Sequence, residues 1–449
     1  MTASRESFRE AWRLAWPLIL SNISVPLLGI VDSAVVGHLS EPHYLGAVAL
    51  GAATFSAVYL VIFSLRMSTT ALAAQAFGAG DGAEVRASLI RPMAIALVLG
   101  ILFILLGPAI ATGAAFVFAP SEAVGPELDL YITIRILGAP AAIGQAVVLG
   151  WLLGCQNARA SLIVLLVTNG TNILLDLWFV FGLGYKTGGV AAATVIANYL
   201  GLAIALLIVS GTWRRLTGRW RPEILMDKRA FARLIAVNRD LFIRTIFLEI
   251  SFALFAALSS RQGELILAAN AILENFLLLA AYALDGFAFA SEAMVGRQVG
   301  ARNRRGVGQA VRACALWSLA FATVIALFYA LAGTAMIRLI TSITVVQDTA
   351  ATYLPYLIVA PLIGIWAYLF DGVFAGATQT RELRDGTIVA TALFVLAAFT
   401  LPSWLGNHGL WLALGLFLAA RGGWFAWRYR RLQATERFMS GERVTEAAA

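Results

Sequence analysis

Two aspartates, Asp32 and Asp176, lie inside long apolar stretches of the first half of the sequence. If these stretches cross a membrane, an ionised carboxylate at the bilayer centre costs on the order of 2.5–3.5 kcal/mol, and such residues are retained mainly where they function. Counted from the predicted outer helix ends, Asp32, Asp176 and Thr194 all lie about 9 Å deep. Asn172 precedes Asp176 by one turn and shares its helix face. These four residues therefore predict a proton-binding site.

The same residues predict how a proton is coupled to movement. Burial and a second carboxylate nearby both favour the protonated form, so the pair can load a proton from an acidic exterior and release it inside. Pro26, six residues before Asp32, removes a backbone hydrogen bond and makes its helix easier to bend. We therefore predict a hinge at Pro26. The alternative is that each aspartate is only a hydrogen-bonded structural group.

Five further acids lie within apolar stretches of the second half: Glu249, Glu274, Asp285, Glu292 and Asp371. Asp285 and Glu292 are two turns apart on one predicted helix face. We interpret all five as candidate cation- or substrate-binding residues. Alternatively, Arg239 and Arg244 neutralise one or two of them, or they face a water-filled cleft. Arg66 and Arg135 are expected to extend their side chains to a membrane interface.

The amino-acid composition indicates the class of protein that contains these acids. Of 449 residues, 60% are hydrophobic and only 13% are charged, whereas soluble domains are roughly 45–50% apolar and about 25% charged. A helix needs about 20 apolar residues to cross a membrane. Twelve stretches qualify: 12–36, 44–76, 92–112, 127–155, 161–182, 189–210, 231–258, 266–296, 312–333, 350–378, 386–404 and 409–428. The chain is predicted to be an all-α polytopic membrane protein, and a water-soluble enzyme is excluded.

Basic residues follow the even-numbered stretches, which fixes the expected orientation. The connectors carry Arg86, Arg91, Arg159, Arg214, Arg215, Arg219, Arg221, Lys228, Arg229, Arg302, Arg304, Arg305, Arg381 and Arg384. Positively charged loops remain in the cytoplasm. We therefore expect both termini in the cytoplasm of a bacterial cell, with the chain in the cytoplasmic (inner) membrane. The net charge of +8 then reflects topology rather than nucleic-acid binding, and two Cys with three scattered His predict neither disulfides nor a metal site.

The two halves of the chain resemble each other at an offset of 222 residues. This offset carries Gly78 onto Gly300, Tyr131 onto Tyr353, and Gly150 onto Gly372. Six spans per half make the copies parallel repeats, as in transporters. We predict an N-lobe at 1–210, a cytoplasmic linker at 211–230, a C-lobe at 231–432 and a flexible cytoplasmic tail at 433–449.

Four segments are familiar: WPLILSNISVPLLGIVDSAVVGHL at 16–39, FGAGD at 77–81, TNILLDLWFVFGLGYKTGGVAAATVIAN at 171–198 and LDGFAFASEAMVGRQVGAR at 284–302. The chain resembles the multidrug and toxic compound extrusion (MATE) family, in particular its DinF-like branch. The resemblance implies a V-shaped fold of two six-helix lobes and cation-coupled export of organic compounds. It also implies an N-lobe proton site at Asp32, Asn172, Asp176 and Thr194. NorM-like members place coupling acids in the C-lobe, and Glu249 and Asp371 resemble that arrangement loosely.

The expected function is therefore secondary active efflux of amphipathic or cationic organic compounds in exchange for protons, by alternating access. One alternative is sodium coupling through the C-lobe acids. Another is a flippase for lipid-linked precursors, which is less favoured because the intramembrane charges are largely acidic. We expect no enzymatic activity and no cofactor, with H+ as coupling ion and Na+ as the alternative. The expected partners are small organic substrates and the lipid bilayer, and the protein is expected to function as a monomer.

Overall fold

In the computed structural model, residues 4–39, 41–218, 222–435 and 437–439 are described, and every regular element among them is a helix. The α-helices are α1 Arg5–Gly37, α2 Pro42–Val58, α3 Leu60–Gly78, α4 Gly82–Leu105, α5 Gly107–Phe118, α6 Val124–Arg135, α7 Ala139–Gly154, α8 Ala158–Leu177, α9 Lys186–Arg215, α10 Pro222–Leu225, α11 Lys228–Arg261, α12 Glu264–Gly300, α13 Arg304–Ile340, α14 Thr344–Gly376, α15 Thr380–Thr400, α16 Pro402–Leu405 and α17 Asn407–Ala434. Eleven helices among the described residues are long and apolar enough to cross a membrane. The 33-residue helix α1 lies at the first predicted span.

Several predicted spans are broken rather than continuous, which corrects their boundaries. The span at 44–76 consists of α2 and α3, separated at Tyr59. The span at 92–112 is divided between α4 and α5, where Pro108 occupies the first turn of the new helix. In the span at 127–155, a 3-10 turn at Ile136–Gly138 precedes Pro140. Proline cannot donate a helix hydrogen bond and disfavours helical geometry in the residue before it, which explains the last two breaks.

The chain divides into two compact units. The N-unit is Leu20–Leu234, and the C-unit consists of residues up to Ile19 and from Ile235 onward. The predicted lobes were drawn at 1–210 and 231–432, so the first turns of α1 group with the C-unit and the predicted linker groups with the N-unit. These turns are fixed within the C-unit by Glu10, whose two carboxylate oxygens accept hydrogen bonds of 2.6 and 2.7 Å from Arg297.

The 222-residue repeat is visible in the positions of helix ends. The helices α2 and α12 begin at Pro42 and Glu264, and α4 and α13 begin at Gly82 and Arg304. Both differences equal the sequence offset. Helix starts depend on local capping and turn residues, so their coincidence shows that the two halves fold by the same local rules.

The repeat extends to helix packing. A Cβ atom on Gly150 of α7 would lie 2.5 Å from the backbone oxygen of Arg66 on α3, and one on Gly372 of α14 would lie 1.9 Å from that of Ala288 on α12. Each glycine and each partner is displaced by 222 residues from its counterpart. Small residues let membrane helices approach closely and pack through backbone contacts. The same close approach of two helices therefore occurs in each unit.

The predicted linker and tail are partly ordered. The guanidinium of Arg86 donates to backbone oxygens of Leu216 (2.7 Å) and Gly218 (3.1 Å), which fixes the start of the predicted linker against α4. Beyond α17, a 3-10 turn at Arg437–Met439 places Phe438, only 1% exposed, against the rings of Phe374 and Tyr429. The predicted flexible tail therefore contains a packed segment, and the rest of it, from 440, lies outside the described residues.

Candidate functional site in the N-unit

Asp32, Asn172, Asp176 and Thr194 come together in the N-unit. With its amide nitrogen facing the carboxyl groups, Asn172 donates to Asp32 Oδ1 (3.2 Å) and Asp176 Oδ2 (3.0 Å), and its oxygen accepts from Thr194 Oγ1 (3.1 Å). Asp176 is 0% exposed and Asn172 is 1% exposed. Three helices, α1, α8 and α9, therefore contribute to one continuous polar cluster. We call these four residues the acid cluster.

The two carboxyl groups of the acid cluster also meet directly. Asp32 and Asp176 approach each other within hydrogen-bonding range. Asp176 Oδ1 is buried and accepts no hydrogen bond from the described residues. Two ionised carboxylates repel at such a distance, whereas a single shared proton converts the contact into a charge-assisted hydrogen bond. The geometry is therefore suited to holding a proton.

Local helix structure positions these carboxyl groups. Asp176 lies in the last turn of α8, and the helix continues as a π-helical turn at Trp178–Gly182. Single π-turns inside helices occur frequently at functional sites. Two turns below Asp176, Asn169 Nδ2 donates to Ser24 Oγ at 2.9 Å and ties α8 to α1 near Pro26. The helix α1 is continuous through Pro26, so a hinge at this position stays a prediction.

Arg135 is the residue of this site that sequence reasoning missed. Its guanidinium donates to the Tyr131 hydroxyl and stacks over the rings of Phe55 (5.0 Å to the centroid) and Tyr131 (5.4 Å). Both rings belong to the buried core of the N-unit. The guanidinium interacts electrostatically with Asp32 and Asp176. The expectation that Arg135 extends to a membrane interface is wrong, because aromatic faces inside the bundle hold its charge.

In the C-unit, Asp371 is held by two arginines. Arg244 donates to Asp371 Oδ2, and Arg421 donates to the same oxygen at 2.7 Å. All three side chains are buried. The prediction that Arg244 neutralises an acid therefore agrees with the structure. Arg239 instead bonds its neighbour Asp240 at 3.1 Å.

The other C-unit acids have different surroundings. Glu249 is exposed and lies in the field of Arg244, whereas Asp285 lies near Tyr282 and Tyr368. Glu274 is half-buried on α12, three turns before Asp285. Glu292 is fully buried, two turns beyond Asp285. Glu249 and Asp285 have Tyr282 as a common neighbour, and Asp285 and Asp371 have Tyr368 as a common neighbour. A role of the five candidates in binding a cation or substrate stays a prediction.

A signal for the missed arginines was present in the sequence. Arg135 and Arg421 both lie within predicted spans, and a cation inside a bilayer is as unfavourable as an acid. Their partners could not be inferred, because pairing depends on which helix faces meet. No group of three or more His, Cys, Asp or Glu within the described ranges is arranged to hold a metal ion.

A helical bundle with this many membrane-length helices, built twice from one repeated plan and containing buried ionisable clusters, defines a polytopic membrane transport protein. The MatE family model matches residues 17–178 and 241–400. The chain belongs to the MatE family, the multidrug and toxic compound extrusion family, whose members are transporters rather than enzymes.

Relatives match nearly the whole chain, and a solved structure matches its fold. The chain is 44% identical to the DNA damage-inducible protein F of Escherichia coli (strain K12), over 95% of this chain and 92% of that protein. It is 26% identical to the multidrug resistance protein PmpM of Pseudomonas aeruginosa, over 93% and 90% of the two chains. A solved MOP superfamily transporter from Pyrococcus furiosus matches with a TM-score of 0.87 at 21% identity, covering 96% of this chain and 97% of that chain. The predicted fold class is thereby confirmed.

Proposed function

We propose that this chain is a proton-coupled antiporter that exports amphipathic or cationic organic compounds through the bacterial cytoplasmic membrane, as a monomer with both termini inside. The observation that carries the proposal is the direct contact between the Asp32 and Asp176 carboxyl groups, bridged by Asn172. Relatives named for multidrug resistance support the class of substrate.

The acid cluster supplies the coupling step of the proposed cycle. A proton taken up from outside is shared by Asp32 and Asp176, which removes their mutual repulsion and forms a hydrogen bond between them. Since Asp32 is on α1, this uptake pulls α1 toward α8 above Pro26, where the helix lacks a backbone hydrogen bond. Release of the proton to the cytoplasm restores the repulsion and resets α1. Alternating access is then driven by the change in charge at one buried site.

Sodium coupling through the C-unit acids is the second candidate, and the structure favours it less. The Asp371 carboxylate is already paired with Arg244 and Arg421 through Oδ2. A guanidinium pair around a carboxylate leaves little negative charge to attract sodium. The remaining acids that a sodium ion could use are Glu249, Glu274, Asp285 and Glu292.

The test is efflux of ethidium in everted membrane vesicles under imposed gradients. An inward-acid pH gradient alone is expected to drive ethidium into the vesicles, and a sodium gradient alone is expected to have no effect. Asp32→Asn and Asp176→Asn should each reduce the pH-driven rate at least tenfold, roughly the loss of 1.4 kcal/mol of coupling free energy. Asp129→Asn, an exposed aspartate of α6 in the same unit, is the matched control and should transport normally.

Two outcomes contradict the proposal. If both aspartate variants transport at the wild-type rate, the acid cluster is not the proton site. If efflux follows the sodium gradient and ignores a collapsed pH gradient, the coupling ion is wrong although the family assignment stands.

A further inference from the structure

Arg135 is positioned by contacts with neutral groups, which do not neutralise its positive charge. Three arginines elsewhere in the chain each donate hydrogen bonds from two nitrogen atoms to a glutamate carboxylate: Arg91, Arg297 and Arg428. Arg135 instead bonds a neutral hydroxyl and stacks on aromatic faces, and its buried Nε has no hydrogen-bond partner in the described part of the chain. Its positive charge therefore remains available to the nearest acids.

The nearest acids are the two carboxyl groups of the acid cluster. The guanidinium of Arg135 interacts electrostatically with both Asp32 on α1 and Asp176 on α8. The other titratable groups that interact with Arg135 among the described residues are the hydroxyls of Tyr59, between α2 and α3, and Tyr131, on α6; Tyr199 on α9 lies near Tyr59. Tyrosines are neutral near pH 7, so the formal charge of this region depends on two aspartates and one arginine.

Charge arithmetic then sets a limit on the occupant. With both aspartates ionised and Arg135 charged, the site carries a formal charge of −2 + 1 = −1. One proton or one monovalent cation brings it to neutrality, and a second positive charge leaves a buried excess. An uncompensated charge in a low-dielectric region is strongly unfavourable.

We propose that Arg135 is a specificity-determining residue that limits the acid cluster to one positive charge at a time, so that the transporter favours monovalent over divalent organic cations. This inference rests on the proposed proton-coupled function. Arg135 acts here as a resident counter-charge rather than as a ligand of the substrate. Its stacking on Phe55 and its bond to Tyr131 keep it beside the carboxyl pair without neutralising either acid by direct ion pairing.

The test uses ethidium and propidium, which share one aromatic ring system but carry one and two positive charges. Binding of each dye to the purified full-length protein is measured by fluorescence, together with the protons released on binding. The wild-type protein is expected to favour ethidium and to release no more than one proton for either dye. Arg135→Gln should shift the affinity ratio toward propidium at least tenfold, because loss of a unit charge at a partly buried site exceeds the free energy of one factor of ten.

Two variants serve as controls. Arg135→Lys preserves the charge and is expected to keep the ratio near the wild-type value. Arg338→Gln removes an exposed arginine at the end of α13 in the C-unit and should leave the ratio unchanged.

The proposal is overturned if Arg135→Gln retains the wild-type ratio. It is also overturned if the wild-type protein releases two protons when propidium binds, a measurement that holds even if Arg135→Gln fails to fold. Ethidium efflux by the wild type under a pH gradient is measured in parallel. If that efflux is present and the dye ratio does not respond to Arg135, only the role of Arg135 is wrong, whereas absence of the efflux contradicts the proposed function itself.

Discussion

Asp371→Asn should separate a structural role of the C-unit cluster from a role in ion coupling. The carboxylate of Asp371 accepts from Arg244 and Arg421, and Arg421 is only 1% exposed. Replacing the acid by an amide keeps the side-chain volume but leaves two buried guanidinium groups facing each other. Their repulsion then adds to the desolvation that the carboxylate had offset.

The size of the effect follows from burial. Removing one partner of a buried ion pair typically costs about 3–5 kcal/mol. Arg421→Met should cost less than Asp371→Asn, because it leaves one arginine and one aspartate in balance. Asp385→Asn is the matched control, since Asp385 is 49% exposed in its pair with Arg384 and such surface pairs contribute about 0–1 kcal/mol.

Thermal unfolding of the purified variants is monitored by size-exclusion chromatography, and the melting temperatures rank the variants directly. We expect Asp371→Asn to melt lowest, Arg421→Met next, and Asp385→Asn with the wild type. A variant Asp371→Asn that melts like the wild type but loses transport would refute the structural account. That result would assign Asp371 to ion coupling instead.

Three further variants test packing and anchoring, two by the same melting assay and one by limited proteolysis. Gly372→Ala should destabilise the protein by about 1–3 kcal/mol because its Cβ would meet a backbone oxygen. Gly415→Ala, which has open space around its Cβ, is the control and should be neutral, so equal melting temperatures of the two variants would contradict the packing argument. Asn270 exchanges two hydrogen bonds with Asn407 (2.8 and 2.9 Å). Asn270→Leu should therefore lower the free energy of unfolding by about 1–3 kcal/mol for each polar partner left unsatisfied, and an unchanged melting temperature would contradict the importance of these hydrogen bonds. Arg86→Met should release the start of the linker and increase its proteolysis without altering the melting of α12 and its neighbours, and an unchanged cleavage rate would speak against this anchor.

The acid cluster was predictable because charge inside an apolar stretch is rare and depth along a helix follows from counting. Asp32 and Asp176 were found by rarity, and Asn172 and Thr194 by helical spacing and depth. The structure brings these side chains together, which the counting anticipated. Their role in proton binding remains a prediction.

Arg135 and Asp371 show where such reasoning stops. A long cationic side chain can reach an interface or turn inward, and only the aromatic faces of Phe55 and Tyr131 decide between these outcomes. The bonds to Asp371 likewise depend on which faces of α11, α14 and α17 meet. The spacing of residues in the sequence describes the faces of one helix, and it does not show which faces of different helices pack together.

Helix breaks were only partly predictable. Pro108 and Pro140 explain the interruptions near them, but the separation of α2 from α3 at Tyr59 has no proline. Hydropathy is insensitive to such a break because the apolar run continues through it. The apolar pattern at 44–76 therefore predicts one continuous span.

The shared plan of the two units makes their difference in chemistry instructive. The 222-residue offset carries Asp32, Asn172, Asp176 and Thr194 onto Leu254, Phe394, Ala398 and Leu416. The second copy thus carries hydrocarbon side chains at all four positions, of which Phe394 and Ala398 are buried and Leu416 is 42% exposed. In the proposed cycle the proton is therefore handled by one half alone, and a chemical change at the Asp32–Asp176 pair has no equivalent pair in the other half to compensate for it.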